Sequence, residues 1–324
     1  MRRVLVRRLA EALLVVLVAA TATFVIAHLA PGDPFTMALR EPSVTPEIRD
    51  QLRANWGLDR PLPEQYVRWL GAVARGELGP SFSQHRPVRD AISDALPATL
   101  LLSGTGLLLA FALGVALGAW QAAHRGRPLE RLTRTATLAL SAVPDFWLAL
   151  VAMLGLAYWL RLLPASGMID AGSHDYLTPA GQLVDRLRHL VLPAGVMAAL
   201  AAAGIARFQR AALLDALGEE WTRTARAKGV SERAIVLRHA LRNALSPTLA
   251  LVGLNLPALA GGAVFIERVF QWPGMGWLML RAVESRDYPL IMGCVLVGSA
   301  LVVAGSFAAD MLSALADPRL QRGE

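Results

Sequence analysis

The sequence predicts an all-α membrane protein with six transmembrane helices and both termini on the inner side. Three observations carry this. Of 324 residues, 55% are hydrophobic and the mean hydropathy is +0.44. The apolar residues are gathered into six runs near 20 residues long, about what a helix needs to cross a hydrocarbon core of roughly 30 Å. Basic residues alternate in density between the segments that join those runs, which orients the chain by the positive-inside rule.

The first run, about 9–29, follows Arg2, Arg3, Arg7 and Arg8. Its apolar part is longer than the core of a cleaved signal and no good cleavage site follows, so it reads as a retained span. Residues 30–95 then form a long external loop whose eight arginines are balanced by nine acids. The remaining spans fall at about 97–120, 136–160, 190–208, 246–266 and 288–315. With the N-terminus inside, internal segments 1–8, 121–134, 207–242 and the tail after 315 hold 18 Arg or Lys, and external loops 161–188 and 267–287 hold six. The chain is thus organised as an N-terminal helix and external loop (1–95), a five-helix core (96–316) with an internal loop at 209–245, and an internal tail (317–324). The net charge of +7 is accounted for by this topology, and the partner it implies is the lipid bilayer, not nucleic acid. One cysteine, Cys294, lies in the last span, so no intramolecular disulfide framework exists.

The catalytic templates are missing. Lys228 is the only lysine and Gly229 follows it, so a phosphate-binding loop ending in Lys-Ser or Lys-Thr is excluded. No H-E-x-x-H, G-x-S-x-G or Cys/His cluster is present, and the six histidines are scattered singly. Two classes remain, a channel or transporter and a membrane enzyme or scaffold, with no cofactor or metal site expected in this chain. Ionisable residues inside spans separate transporter classes, because each costs at least about 2.5 to 3.5 kcal/mol at a helix centre unless paired or hydrated. Glu11 and Asp310 lie near the internal face. Asp145, between Pro144 and Phe146 in SAVPDFWLAL, sits in the third span, as a kinked segment end near water or as a pathway or subunit-contact residue. An ion-coupled transporter would carry a chain of such groups, and this sequence does not.

The segment RTARAKGVSERAIVLRHALRNALSP (223–247) lies between two spans with seven basic side chains, six Arg or Lys and His239. Glu219 and Glu220 favour a helix start, Trp221 and Ala225 fall four apart on one face, and Gly229 can close the helix in a left-handed turn. Ser231 then caps a second helix with Leu237, Leu241 and Ala244/Leu245 as one stripe and Arg238 and Arg242 as another. Such an element lies on the lipid surface as a basic anchor or docks a partner subunit. The small residues Ala225, Ala227 and Gly229 favour docking.

RTARAKG with RHALRNALSP resembles the cytoplasmic loop of ABC-importer permeases of the dipeptide, oligopeptide and nickel family. With the family glycine on Gly229, the general E-A-A triplet falls on Arg223, Thr224 and Ala225, so only the third position matches. The resemblance continues along nearly the whole chain in PGDPF (31–35), WGLDRPLPEQYVRWL (56–70), GELGPSF (76–82), PATLLLS (97–103), SAVPDFWLAL (141–150), PASG (164–167), VFIERVFQWPGMGWL (264–278), RDYP (286–289) and ADPRL (316–320). It implies a multi-pass subunit of a bacterial inner membrane, paired with a second, similar permease. Two ATP-binding-cassette ATPase subunits would carry ATP and Mg, and an extracytoplasmic binding protein would deliver peptides, nickel or another small solute. Glu220, Trp221, Thr224, Ala225, Ala227, Lys228 and Gly229 would form the coupling helix. Glu267, Phe270, Trp272, Pro273 and Gly274 would lie at the external mouth, with Trp272 and Trp277 placed to serve as interfacial anchors.

Overall fold

The structure, a computed structural model, describes residues 2–29, 60–255 and 264–316. Every element named among them is helical, as backbone groups in lipid require. In chain order these are α1 (Arg2–Leu29), α2 (Leu62–Ala74), α3 (Val88–Ala123), α4 (Pro128–Leu140), α5 (Asp145–Ala152) with a π-helical continuation Met153–Trp159, α6 (Pro179–Gly218), α7 (Glu220–Ala227), α8 (Glu232–Ala234) with a π segment Ile235–Ala240, α9 (Leu241–Asn255), α10 (Val264–Val269), α11 (Met275–Glu284) and α12 (Tyr288–Ala316). Among the described residues α3, α6 and Tyr288–Ala308 of α12 are long and apolar enough to cross a membrane. Ala10–Ile26 is a shorter apolar helix. The expected span at 246–266 and the tail 317–324 fall partly or wholly outside the described residues.

The expected third span, 136–160, is not one helix. α4 and the stretch Asp145–Trp159 meet at a bend of 110°. Pro144 causes it: the proline has no N–H for the ladder and drives Val143 out of helical geometry, so the helix must restart. Asp145 opens the new helix, its Oδ1 accepting from the Phe146 amide at 2.8 Å.

The chain divides into two compact units, residues 1–97 with 278–300 and residues 98–277 with 301–324. In the first, Tyr66 and Trp69 of α2 pack on Phe24 of α1 with ring centroids 5.2 and 5.6 Å away, and the Tyr66 hydroxyl shares a 2.6 Å hydrogen bond with Thr21. Asp287 is fully buried just before α12. Its Oδ2 accepts from the Ser81 hydroxyl (2.5 Å) and from the Ser83 amide and hydroxyl (both 2.8 Å), and its Oδ1 from the Leu290 amide (3.1 Å). Two short motifs that are far apart in sequence, GELGPSF and RDYP, are thereby tied.

In the second unit α3 and α6 touch backbone to backbone. A Cβ at Gly114 would meet Ile205, and one at Gly118 would meet the Ala206 carbonyl and Gln209, while Gly106 lies against Met197. Contacts advance together along both chains, so the two helices run parallel. The core beside this seam is built from Ala98, Leu102, Ala149, Leu190, Val196, Ile266, Phe270 and Trp272. A further apolar cluster, Ala122, Leu213, Ala240 and Ala244, fastens α9 and the preceding π segment to α6.

Candidate functional site

α6 runs unbroken for 40 residues and gives way after Gly218 to α7 through Glu219 alone, whose extended backbone (φ −66°, ψ 152°) turns the chain. Thr222 fixes that corner: it is fully buried and its hydroxyl donates to the carbonyls of Leu217 (2.8 Å) and Glu219 (2.6 Å). The rest of α7 faces outward. Glu220, Trp221, Thr224, Ala227, Lys228 and Gly229 are exposed, and Ala225 is half-buried. Gly229 ends the helix at φ +78°, with its amide donating to the Arg226 carbonyl at 2.9 Å. Nothing lies within 4 Å of where its Cβ would be, so glycine is needed here for backbone conformation and not for space. Arg226 donates to Glu232 at 2.6 Å, bracing the turn, and this hydrogen bond holds the Glu232 carboxyl below its usual range.

Two expectations for the second helix are corrected. Ser231 stands at the N-cap with extended geometry, but its side chain makes no capping hydrogen bond. Of the expected stripe, Ala244 is buried and Leu241 packs half-buried on the same cluster, but Leu237 is 52% exposed and Ile235 and Ala240 face inward instead. A π segment at Ile235–Ala240 is the reason, because its wider turn shifts the phase that a 3.6-residue period assigns. Beside Trp221 a groove of about 680 Å³ opens between α6, α7 and α9, lined by Phe208, Asp215, Glu219, Trp221, Asn243 and Pro247.

Of the five residues expected at the outer mouth, Glu267 is a buried carboxylate with Gly274 against it, while Phe270 and Trp272 belong to the apolar core. Glu267 is fully buried in α10. It accepts from the Thr99 hydroxyl at 2.8 Å and from the Trp277 amide at 2.9 Å, and Gly274 and Gly276 lie so close to it that any Cβ there would strike it. Thr99 in turn accepts from the Met275 amide at 2.7 Å. Burial pushes the Glu267 carboxyl above its ordinary pKa, against the opposing pull of these donors. Trp272 is no interfacial anchor. It is fully buried, its indole N–H donating to the Ala98 carbonyl at 2.8 Å, because the turn at Pro273 and Gly274 folds it under the chain. Pro144, Asp145 and Phe146 do not join this site. Phe146 is 45% exposed and meets Phe265 with ring centroids 6.2 Å apart.

A cluster that sequence reading passed over lies where the loop 161–178 meets the start of α6. His174 and His189, expected to be isolated, both reach Asp185: His174 Nδ1 lies 2.6 Å from Oδ2, and His189 Nδ1 lies 3.2 Å from Oδ1 and 2.9 Å from the Asp185 carbonyl. The Asp170 amide donates to the same Oδ2 at 3.0 Å. Burial opposes ionisation of Asp185, but the Asp170 amide and the two imidazoles outweigh it and hold the carboxyl below its usual range. The i, i+4 spacing of Asp185 and His189 was visible in the sequence. His174 carries no local signal.

These elements have known counterparts. The family model for the inner membrane component of binding-protein-dependent transport systems matches residues 114–322, and the N-terminal model of the same membrane component matches residues 1–103. The chain belongs to this family. Similar proteins include a putative peptide permease protein of Brucella suis, 41% identical over 92% of each chain. An oligopeptide transport system permease protein of Bacillus subtilis is 37% identical over 92% of this chain and 93% of its own. A dipeptide transport system permease protein of Escherichia coli is 32% identical over the same shares. As a member of the binding-protein-dependent family the chain is a membrane transport subunit, of the dipeptide and oligopeptide branch that its motifs resemble. The short motifs now have physical roles in this family's framework: PATLLLS supplies Ala98 and Thr99 to the WPGMGW turn, and Gly167 of PASG donates its amide to the Phe270 carbonyl at 2.8 Å.

Proposed function

We propose that this chain is one of two similar permease subunits of an ABC importer for peptides in a bacterial inner membrane, and that α7 is the helix on which a separate ATPase subunit acts. A binding protein delivers the peptide at the outer side. ATP and Mg are held by the two ATPase subunits, and this chain carries no nucleotide site. Relatives named as peptide, oligopeptide and dipeptide permeases support the substrate class. Six spans with both termini inside are part of the same reading. The parallel run of α3 and α6 supports it, since two helices crossing in one direction need a return crossing between them, which the bent pair α4–α5 supplies.

The observation that carries the reading is α7 itself. It is a short helix joined by one residue to a 40-residue helix, presenting Thr224, Ala227 and Gly229 on its exposed face. A lipid anchor needs bulky apolar residues there; small ones admit a partner backbone. The test compares two sets of variants in cells producing the whole transporter. Ala227→Trp overfills the contact, and Gly229→Val places a β-branched residue at φ +78°, each a penalty of roughly 1–3 kcal/mol. Both should leave the permease inserted and cut copurified ATPase about tenfold or more. Removal of Arg223, Arg226 and Lys228 together should leave assembly largely intact. Full ATPase recovery and transport in the Ala227→Trp and Gly229→Val variants, alongside loss of the chain from the membrane without the three cations, would establish a lipid anchor instead.

A further inference from the structure

α4 is held to the molecule in an unusual way. Three of its four leucines, Leu129, Leu132 and Leu138, are 56%, 66% and 59% exposed, Leu140 is half-buried, and its buried residues are Glu130 and Thr137. Apolar burial on its own helix does not fix its place. Glu130 does: its side chain is 2% exposed, Oε1 accepts from Arg210 of α6 through Nη2 (2.9 Å) and Nε (3.2 Å), and Oε2 accepts from the Gly126 amide (3.1 Å). Arg134, 54% exposed, stands 3.9 Å from the same Oε1. Gly126, at φ +87°, belongs to the turn that joins α3 to α4. One carboxylate therefore ties the turn and the start of α4 to α6, about two helical turns before α6 ends at the corner with α7.

We propose that the Glu130–Arg210 ion pair is the joint by which motion of α6 is passed to α4 and, across the bend at Pro144, to α5. This rests on the reading of α7 as the coupling helix. A push on α7 moves α6 as a rod. α3 follows by shape, because Gly114 and Gly118 leave no gap at α6. α4 also runs close against α6 but buries no apolar side chain there, and it follows by the directed hydrogen bonds of Glu130. A buried ion pair is a poor stabiliser compared with apolar residues of the same size, but its geometry tolerates little slip, which suits a joint.

The test reads motion and needs no identified substrate. In a Cys294→Ala background, Phe146→Cys reports on α5 and Phe208→Cys on α6, and each is labelled by a maleimide in the assembled transporter with and without ATP and vanadate. In otherwise unaltered protein both rates should change at least threefold on trapping. With Glu130→Gln, the change at Phe208 should persist and that at Phe146 should fall below 1.5-fold. The exchanged pair Glu130→Arg with Arg210→Glu should restore at least half of it. A merely structural role would lower expression or blunt both reporters together, and that outcome overturns the joint, as does an undiminished change at Phe146 in Glu130→Gln or an exchanged pair no better than the single variant. Should Glu130→Gln fail to insert, Glu130→Met with Arg210→Met keeps the volume and is judged by the same thresholds. If neither reporter responds to ATP in the unaltered transporter, the coupling reading itself falls and takes the joint with it.

Discussion

At the scale of single residues, buried carboxylates fasten segments that hydrophobicity alone would leave loose. Asp287, Glu267 and Glu130 are buried and each gathers a donor from a segment distant in sequence, while the half-buried Asp185 gathers its donors from the loop before α6. A buried donor or acceptor left without a partner costs about 1–3 kcal/mol, so each contact fixes its segment. Asp185 gives a pH test. Its folded pKa is depressed, so its contribution is complete above the free carboxyl value of about 3.9 and is lost as pH falls through the lower folded value. Amide exchange in loop 164–178 should therefore gain no component from Asp185 between pH 7 and 5 and should accelerate below about pH 4. Asp185→Asn should be faster by roughly tenfold at pH 7 and lack the acid step. An unchanged exchange rate in the variant would remove Asp185 from this role. Apart from the i, i+4 spacing of Asp185 and His189, none of these contacts was legible beforehand. Glu267 was placed at the mouth by motif, but its partner Thr99 sits 168 positions away, and nothing in PATLLLS marks a threonine as a donor.

At the scale of elements, periodicity and punctuation carried the reading until local geometry departed from a regular helix. Gly229 was legible as a left-handed stop because the sequence around it leaves few other uses for a glycine, and it stands at φ +78°. The third span was drawn as one apolar run with a kink at Pro144, and hydropathy does not register that the bend there reaches 110°. The π segment at Ile235–Ala240 moved the buried stripe from Leu237 to Ala240 for a similar reason: the period was assumed, not encoded. The seam between α3 and α6 makes its own prediction. Gly118→Ala drives a methyl onto the Ala206 carbonyl and should destabilise the detergent-purified permease by about 1–3 kcal/mol, the usual cost of overpacking. Gly104→Ala, in the same helix with nothing within 4 Å, should cost nothing or stabilise by about 0.5–1 kcal/mol through helix propensity. Equal thermal unfolding of the two variants would mean that α3 and α6 are not in close contact.

At the scale of the molecule, the chain is a set of apolar helices without a phosphate-binding loop of its own. Its charge, that missing loop and its exposed α7 fit a subunit that moves when another protein hydrolyses ATP. The most direct measurement of that claim is site-specific photo-crosslinking in the assembled transporter, with a benzophenone amino acid placed at Ala227 on α7 and, as a control, at Tyr176, which is 91% exposed in the loop before α6. The account predicts that the probe at Ala227 crosslinks to the ATPase subunit and that the probe at Tyr176 does not. Crosslinks from Ala227 to lipid alone, in a complex that still hydrolyses ATP, would contradict it.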